Sequence, residues 1–292
     1  MPFQTLISPE ALRERLQSPE TAHQTVVVDC RFKLDDPAYG RAAYAECHVS
    51  GAVYAHLDDD LSAPVVRGKT GRHPLPDPLV FAQTLGKWGI EDQTQVVAYD
   101  DQGGMYAARL WWMLQWMGHD HVAVLNGGWA AWLASGGATD AEMPRPSPKV
   151  FTPNVQATMA VSAADVAAFI VQNQTAPGAV QLVDARALPR FLGETEPIDF
   201  VAGHIPTARC VFSMDNVRRA GFKAPEEIRQ NFADVGVTGE APVVVYCGSG
   251  VTAAHNALAM AVAGLPMPRL YAGSWSEWIT DPNRPIATGI AV

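Results

Sequence analysis

Residues 243–250 of the chain read VVVYCGSG, and this stretch decides the fold. Three consecutive valines before Tyr246 form a short β-branched run, which is typical of a strand buried on both faces. Glycines then end the run, and an apolar helical pattern follows at Ala253–Ala263. A buried strand, a glycine-rich loop and a helix in this order predict one unit of a parallel α/β sheet.

The same pattern occurs about 150 residues earlier in the chain, which indicates an internal duplication. There the strand-like run at 96–100 reads VVAYD, against VVVYC at 243–247. Three further pairs of segments match in the same order: VVVDCR at 26–31 with QLVDAR at 181–186, HVSGA at 48–52 with HIPTA at 204–208, and LNGGW at 125–129 with LYAGSW at 270–275. The sequence therefore predicts an α/β fold of two tandem domains, each a mostly parallel sheet flanked by helices.

The boundary between the halves is marked by proline. Residues 141–156 read AEMPRPSPKVFTPNVQ and contain four prolines with little periodicity. Because proline continues neither a helix nor a central strand, this stretch predicts a semi-extended linker. We predict a first domain at 1–140, the linker at 141–157 and a second domain at 158–292.

Composition excludes several classes of protein. With 48% hydrophobic and 17% charged residues and a net charge of −9, the chain is an acidic globular protein without the clustered cations of a nucleic-acid surface. No apolar stretch approaches the roughly 20 residues of a membrane span, and the first residues do not resemble a signal peptide. Four cysteines without CxxC spacing predict free thiols in the cytoplasm, and eight histidines without ligand spacing predict no metal site.

The duplication separates structural from functional candidates. Polar residues that occur in both halves are predicted to stabilise the fold: Asp29 and Arg31 with Asp184 and Arg186, and His48 with His204. A residue that occurs in one half only is a candidate for function. The sharpest difference follows the matched central strand, where the first half has Asp100 and the second has Cys247.

Cys247 lies at the predicted carboxyl end of a parallel strand, where open α/β sheets bind ligands. Glycines after it allow backbone amides to form an anion-binding nest, and a helix from about Ala253 adds its positive dipole end. Both features favour the thiolate, which is the nucleophilic form of cysteine. The remaining cysteines, Cys30, Cys47 and Cys210, are predicted to be small buried hydrophobic residues.

Residues 247–253, CGSGVTA, resemble the active loop of the rhodanese/mercaptopyruvate sulfurtransferase family. The segments Arg190–Gly193, Gly203–Pro206 and Gly273–Trp278 are also similar to that family, and the resemblance runs nearly end to end. It implies two tandem rhodanese-like domains, of which only the second is catalytic. A carboxylate at Asp100 cannot accept a sulfur atom, which agrees with an inert first domain.

The resemblance also implies a reaction. A small sulfur donor passes one sulfur atom to Cys247, giving a persulfide, and cyanide, a small thiol or a reduced thioredoxin-like protein then accepts it. This double displacement needs neither a metal nor an organic cofactor. The amides of the loop are expected to hold the outer sulfur, so the binding residues are Gly248, Gly250, Val251 and Thr252.

The loop favours mercaptopyruvate as donor, because Gly248 and Ser249 are neutral where thiosulfate enzymes carry cations. In mercaptopyruvate enzymes a Ser, His and Asp set assists, and the matching residues here are Ser249, His73 and Asp58, the last two within the predicted first domain. His73 has no counterpart in the other half, whereas Asp58 has one in Asp215.

The arginines leave thiosulfate open as the alternative donor. Arg190 matches the family's substrate-binding arginine, although an ion pair with Glu194 or Glu196 would also explain it. Mercaptopyruvate enzymes carry a second arginine at the position of Ile198. This chain lacks that arginine, and thiosulfate enzymes also tend to lack it. Two nearby candidates to replace it are Arg218 and Arg219.

Two further classes remain as alternatives. A cysteine phosphatase needs a longer loop ending in arginine, whereas this chain continues with Thr252, Ala253 and Ala254. A protein that only relays sulfur on Cys247, without efficient turnover of a small donor, is the non-catalytic alternative.

Overall fold

A computed structural model describes residues 2–290 of the chain. Its internal contacts divide the chain into two compact units. The first unit comprises Met1–Ala63, Leu75–Gln156 and Arg219–Phe222, and the second comprises Pro64–Pro74, Ala157–Arg218 and Lys223–Val292. The short segment Pro64–Pro74 therefore packs with the second unit, although it lies in the first half of the sequence.

The helices and strands of residues 2–156 alternate as the sequence pattern predicts. In chain order they are β1 (Leu6–Ile7), α1 (Pro9–Gln17), α2 (Pro19–Ala22), β2 (Thr25–Asp29), α3 (Tyr39–Glu46), β3 (His48–Val49), β4 (Val53–Tyr54), α4 (Pro78–Lys87), β5 (Gln95–Tyr99), α5 (Ala107–Trp116), β6 (Val122–Leu125), α6 (Gly128–Ala134) and β7 (Thr139–Asp140). Strands β1, β6, β5, β2 and β4 form one sheet in that order, with every neighbouring pair parallel.

The apolar composition of β5 and β6 follows from their place in the middle of this sheet. All residues of both strands are buried, because helices cover a parallel sheet on both faces. Helix α5 is buried along nearly its whole length, including Trp111 and Trp112. Residues 141–156 form no helix or strand and pack along the first unit, where the amides of Lys149 and Asn154 donate to Gly86 and Met117.

The second half repeats the alternation with shorter strands. After a 3₁₀ turn at Ala157–Met159 its elements are α7 (Ala163–Thr175), β8 (Gln181–Asp184), α8 (Leu188–Leu192), β9 (Arg209–Cys210), a 3₁₀ turn at Ser213–Asn216, β10 (Val217–Arg218), β11 (Gly221–Phe222), α9 (Pro225–Ala233), β12 (Val243–Tyr246), α10 (Val251–Val262), β13 (Arg269–Leu270) and α11 (Ser274–Trp278). Of these, β11 belongs to the first unit. Strands β13, β12, β8 and β9 form a parallel sheet in that order.

The matched segments occupy equivalent places in the two sheets. Asp29 at the end of β2 is level with Tyr99 of β5, as Asp184 at the end of β8 is level with Tyr246 of β12. The residue that follows each central strand, Asp100 or Cys247, therefore emerges at the carboxyl edge of its own sheet. The predicted α/β fold of two tandem halves, each with a parallel sheet, is confirmed.

The polar residues shared by both halves are buried and paired, as predicted. Arg31 binds the Asp29 carboxylate at 2.6 Å, and Arg186 binds Asp184 at 2.7 Å. His48 stacks on Tyr44 at 3.9 Å in the first unit, while His204 stacks on Phe191 at 3.7 Å in the second. These ion pairs and stacks hold the carboxyl edge of each sheet.

Two details of the sequence prediction are wrong. Helix α10 begins at Val251 and not near Ala253, because Gly250 with φ 81° already turns the chain into its first turn. Cys30 is buried as expected, but Cys47 and Cys210 are only partly buried. Within residues 2–290, no helix is long and apolar enough to cross a membrane.

Candidate active site

Cys247 directly follows β12 and lies in a nest of backbone amides at the amino end of α10. Its Sγ accepts hydrogen bonds from the amides of Ser249 at 3.4 Å and Gly250 at 3.1 Å. Two aligned amides and the positive end of a twelve-residue helix favour negative charge at this sulfur. Val251 and Thr252, predicted as loop residues, form the first turn of that helix.

Two serines of the Gly273–Trp278 segment fix the loop from behind. The Cys247 amide donates to Ser274 Oγ at 3.1 Å, and the Ser276 amide donates to the Gly248 carbonyl at 2.9 Å. Ser274 holds a left-handed conformation with φ 55°, which is uncommon for a residue other than glycine. The sequence analysis missed both serines, although the first half has Gly128 and Ala130 at the matched positions and the duplication could have revealed them.

At the corresponding place in the first unit, backbone amides surround a carboxylate. Asp100 is fully buried and accepts hydrogen bonds of 2.8–2.9 Å from the amides of Gln102, Gly104, Tyr106 and Ala107. Burial raises the pKa of this carboxyl, while the four amides oppose the shift. Backbone amides therefore point at the residue after the central strand in both halves, although among the described contacts only the amide two residues further on is common to both sets. In the first half the carboxylate of Asp100 itself accepts these hydrogen bonds.

Two other thiols, those of Cys30 and Cys210, lie in surroundings that disfavour the thiolate. Burial, followed by the charges of Asp100 and Asp29, raises the pKa of Cys30. Burial also raises the pKa of Cys210 to about 12. At neutral pH these two side chains therefore remain thiols, and a thiol is a much weaker nucleophile than a thiolate.

Ser249 lies two residues after Cys247 and is paired with a histidine. His73 Nδ1 is 2.8 Å from Ser249 Oγ, and both side chains are about 5% exposed or less. His73 belongs to the Pro64–Pro74 segment, so this contact lies within the second unit. A buried hydroxyl next to an imidazole can pass a proton or donate a hydrogen bond to a ligand oxygen.

Asp58, the third member of the expected set, lies in the first unit. It is on the exposed turn after Leu57, and its backbone amide donates to His56 Nδ1 at 3.3 Å. Its proposed role with His73 stays a prediction from the resemblance.

Arg190 projects from α8, the short helix that begins after Ala187 and ends at Gly193. Its guanidinium binds Glu196 at 2.7 and 3.1 Å, so the ion pair considered as an alternative is present. A Cβ built on Gly248 would lie 3.7 Å from Arg190 Nη2. Arg190 therefore also lies beside the residue that follows Cys247, where it can meet a ligand on the sulfur.

A second guanidinium, that of Arg72, reaches the same place from the Pro64–Pro74 segment. The Cβ position of Gly248 is 2.7 Å from Arg72 Nη2, and the Arg72 amide donates to Ser276 Oγ at 3.1 Å. Of the two suggested replacements, Arg218 pairs with Glu227 in an exposed contact, and Arg219 belongs to the first unit; a role for either stays a prediction. Arg72 is not among the residues predicted from the sequence, because no local pattern ties it to Gly248.

Both arginines share one carboxylate, that of Asp199. It forms an ion pair with Arg72 and lies 3.3 Å from Arg190 Nη2. The Glu196 carboxylate also accepts the amides of Ile198 and Asp199, which fixes the turn. Burial opposes ionisation of Glu196, but Arg190 and these amides hold its pKa below the ordinary value. Among residues 2–290, no cluster of His, Cys, Asp and Glu could hold a metal ion.

The comparisons with known proteins agree with this geometry. The family model described as a rhodanese-like domain matches the chain twice, at residues 8–135 and 167–281. The chain belongs to the rhodanese family. A relative from Pseudomonas aeruginosa, named "Probable 3-mercaptopyruvate sulfurtransferase", is 50% identical over 289 residues, which cover 97% of this chain and 98% of the relative.

Other rhodanese relatives carry both donor names. The thiosulfate sulfurtransferase of Mus musculus is 36% identical over 94% of this chain and 92% of its own length. The crystal structure of SseA from Escherichia coli, described as a 3-mercaptopyruvate sulfotransferase, superimposes with a TM-score of 0.80 at 29% identity, covering 94% of this chain and all of that one. This rhodanese is thus an enzyme, a sulfurtransferase that moves sulfur from a small donor to an acceptor.

Proposed function

We propose that this rhodanese is a 3-mercaptopyruvate sulfurtransferase that carries the sulfur as a persulfide on Cys247. The observation that carries the proposal is the 2.8 Å contact between His73 Nδ1 and Ser249 Oγ, two residues from the cysteine. A hydroxyl held there can donate to the ketone oxygen of a bound ketoacid, which thiosulfate lacks. The name of the 50% identical relative supports the same donor.

Transfer begins when the Cys247 thiolate attacks the donor sulfur and an S–S bond forms. The C–S bond of mercaptopyruvate breaks, and its electron pair leaves on the three-carbon fragment as the enolate of pyruvate. Ser249, paired with His73, stabilises the enolate oxygen, and a proton derived from the donor thiol ends on the methyl carbon. The amides of Ser249 and Gly250, together with the loop at Val251 and Thr252, stabilise the persulfide.

Arg72 and Arg190 are placed to hold the donor's carboxylate. Both guanidinium groups lie within 4 Å of the Gly248 Cβ position, and two such groups can bind a carboxylate through several hydrogen bonds. Arg72 can thereby replace the arginine that mercaptopyruvate enzymes carry at the position of Ile198. This removes the main argument for thiosulfate, which rested on that missing residue.

In the second half-reaction a thiophile attacks the outer sulfur, takes it and releases the Cys247 thiolate. Cyanide would give thiocyanate, and a small thiol or a reduced thioredoxin-like protein would give a persulfide on the acceptor. The free state of all four cysteines supports a cytoplasmic location, which is part of the proposal.

The test is steady-state sulfur transfer to cyanide with mercaptopyruvate and thiosulfate compared side by side. We expect kcat/KM for mercaptopyruvate to exceed that for thiosulfate by about tenfold or more, equivalent to about 1.4 kcal/mol of transition-state stabilisation. A larger kcat/KM for thiosulfate would overturn the donor assignment. Stoichiometric labelling of the cysteine without turnover would instead identify a sulfur relay.

Replacing Ser249 with alanine should separate the two donors. We expect kcat/KM for mercaptopyruvate to fall roughly 10- to 100-fold, because the enolate loses its hydrogen-bond donor, and that for thiosulfate to fall less than about threefold. The double variant with His73→Asn should be no worse than Ser249→Ala alone, since the two act as a unit. Equal losses with both donors would show that Ser249 supports the loop and not the ketoacid.

A further inference from the structure

The two arginines beside Gly248 are neutralised by carboxylates of the chain itself. Arg72 pairs with Asp199, and Arg190 pairs with both Asp199 and Glu196. Arg186, the third cation of the cluster, pairs with Glu196 and Asp184. These three cations and three anions cancel, so an anionic donor enters a cluster with no excess positive charge. A donor that uses the N–H groups of Arg72 and Arg190 now bonded to Asp199 or Glu196 has to displace that carboxylate from them.

The three carboxylates are not equally replaceable. Asp184 is fully buried and holds Arg186, and Glu196 accepts two backbone amides in addition to its arginines. Asp199 contributes its side chain only to Arg72 and Arg190 in the described contacts, and these are the two cations next to the nucleophile. It is therefore the carboxylate whose place a donor anion can take.

We propose that Asp199 is a specificity-determining residue, which competes with the donor's anionic group for Arg72 and Arg190 and so selects a monoanion over a dianion. The inference rests on the proposed function and goes beyond it, because it assigns donor selection to a residue that touches no reacting atom. With Asp199 ionised, a carboxylate donor makes the cluster singly negative, and thiosulfate makes it doubly negative. In a site that is only 5% exposed at Asp199, the second charge is costly.

The surroundings of Asp199 disfavour its ionised form. Burial raises its pKa above the ordinary value, Arg72 opposes this shift, and Glu196 adds to it. Arg72 and Arg190 are the cations that face Asp199, and Glu196 is the neighbouring anion. As pH falls through its pKa, Asp199 becomes neutral and releases the arginines, so anions should bind more tightly at acid pH.

The experiment measures KM and kcat for both donors in Asp199→Asn. The amide keeps the size of the side chain but carries no charge. We expect KM to fall about threefold for mercaptopyruvate and about tenfold for thiosulfate. Loss of the competing carboxylate frees the arginines for either donor, and loss of its charge relieves the repulsion of a dianion more than that of a monoanion. The conservative Asp199→Glu should leave the ratio of the two KM values near wild type. A purely structural role would instead raise both KM values or lower both kcat values.

Glu240→Gln is the matched charge control. Glu240 is exposed and precedes β12, at the opposite end of the strand from Cys247. The Glu240→Gln substitution removes one negative charge, as Asp199→Asn does, so its effect on KM measures long-range electrostatics alone. A fall in the thiosulfate KM as large as that of Asp199→Asn would overturn the proposal.

A binding arm separates failure of this proposal from failure of the proposed function. Pyruvate and sulfate carry one and two charges but no transferable sulfur, and their binding can be followed by calorimetry without any turnover. Asp199→Asn should tighten sulfate more than pyruvate, and lowering the pH should do the same in the wild type but not in the variant. If anion binding responds in this way while neither donor is turned over, the proposed function fails and the role of Asp199 stands. If sulfate binding is unchanged in an active enzyme, the role of Asp199 falls alone.

Discussion

Replacing Cys247 with serine should abolish sulfur transfer with either donor. We expect kcat/KM to fall by roughly 10⁴-fold or more, the size of effect seen when a covalent nucleophile is removed. The serine hydroxyl can accept the amides of Ser249 and Gly250, so the loop should keep its form, but an oxygen cannot carry the sulfur as a persulfide. Activity with cyanide as acceptor, and mass spectrometry after exposure to donor, measure the two consequences.

Cys47→Ser is the matched control for this variant. Cys47 is a partly buried thiol of the first unit, and its loss should leave both turnover and labelling unchanged. Wild-type protein should gain the mass of one sulfur atom on Cys247, and Cys247→Ser should gain none. Retained turnover in Cys247→Ser would refute the persulfide mechanism itself.

Arg186→Met should strongly destabilise the second unit. It leaves the Asp184 carboxylate fully buried without its cation, which typically costs about 3–5 kcal/mol of unfolding free energy. It also removes the hydrogen bond to the Gly203 carbonyl at 2.6 Å and the stacking of the guanidinium on Trp275 at 4.9 Å. Urea denaturation followed by tryptophan fluorescence measures the loss.

The duplication supplies a matched control in Arg31→Met. Arg31 binds buried Asp29 in the same way and stacks on Trp129 at 4.7 Å, so a loss of similar size is expected in the first unit. Only Arg186→Met should also raise the donor KM, because Arg186 binds Glu196, which in turn holds Arg190. If both variants raise KM equally, general destabilisation explains the effect. If Arg186→Met lowers the unfolding free energy by less than about 1 kcal/mol, the buried Arg186–Asp184 pair contributes less to stability than expected.

Much of the site could be predicted because its signals are local in sequence. A run of valines, a glycine-rich loop and an apolar helix are decided by neighbours along the chain. Comparison of the two halves then distinguished Cys247 from Asp100. The same comparison also distinguishes Ser274 and Ser276, since Gly128 and Ala130 occupy the matched positions.

The start of α10 was misplaced for an equally local reason. The sequence prediction places Val251 and Thr252 in the loop, and the low helix propensity of valine and threonine favours the same placement. The preceding Gly250, with its positive φ, and the packing of the apolar helix face outweigh that preference. The difference is only two residues. It means, however, that Val251 and Thr252, two of the expected binding residues, lie in the first helical turn, whose dipole faces Cys247.

The sequence by itself determined the duplicated α/β fold, and it predicts Cys247 as the nucleophile and the Asp100 loop as inert, because each of these inferences depends on residues adjacent in the chain. Only the tertiary structure decided which charges meet at the site. Arg72 and Asp199 are separated by 127 residues, and a long-range ion pair leaves no periodic or spacing signal in a single sequence. Their contact depends on how the segment Pro64–Pro74 folds onto the second unit, and this placement also brings His73 to Ser249.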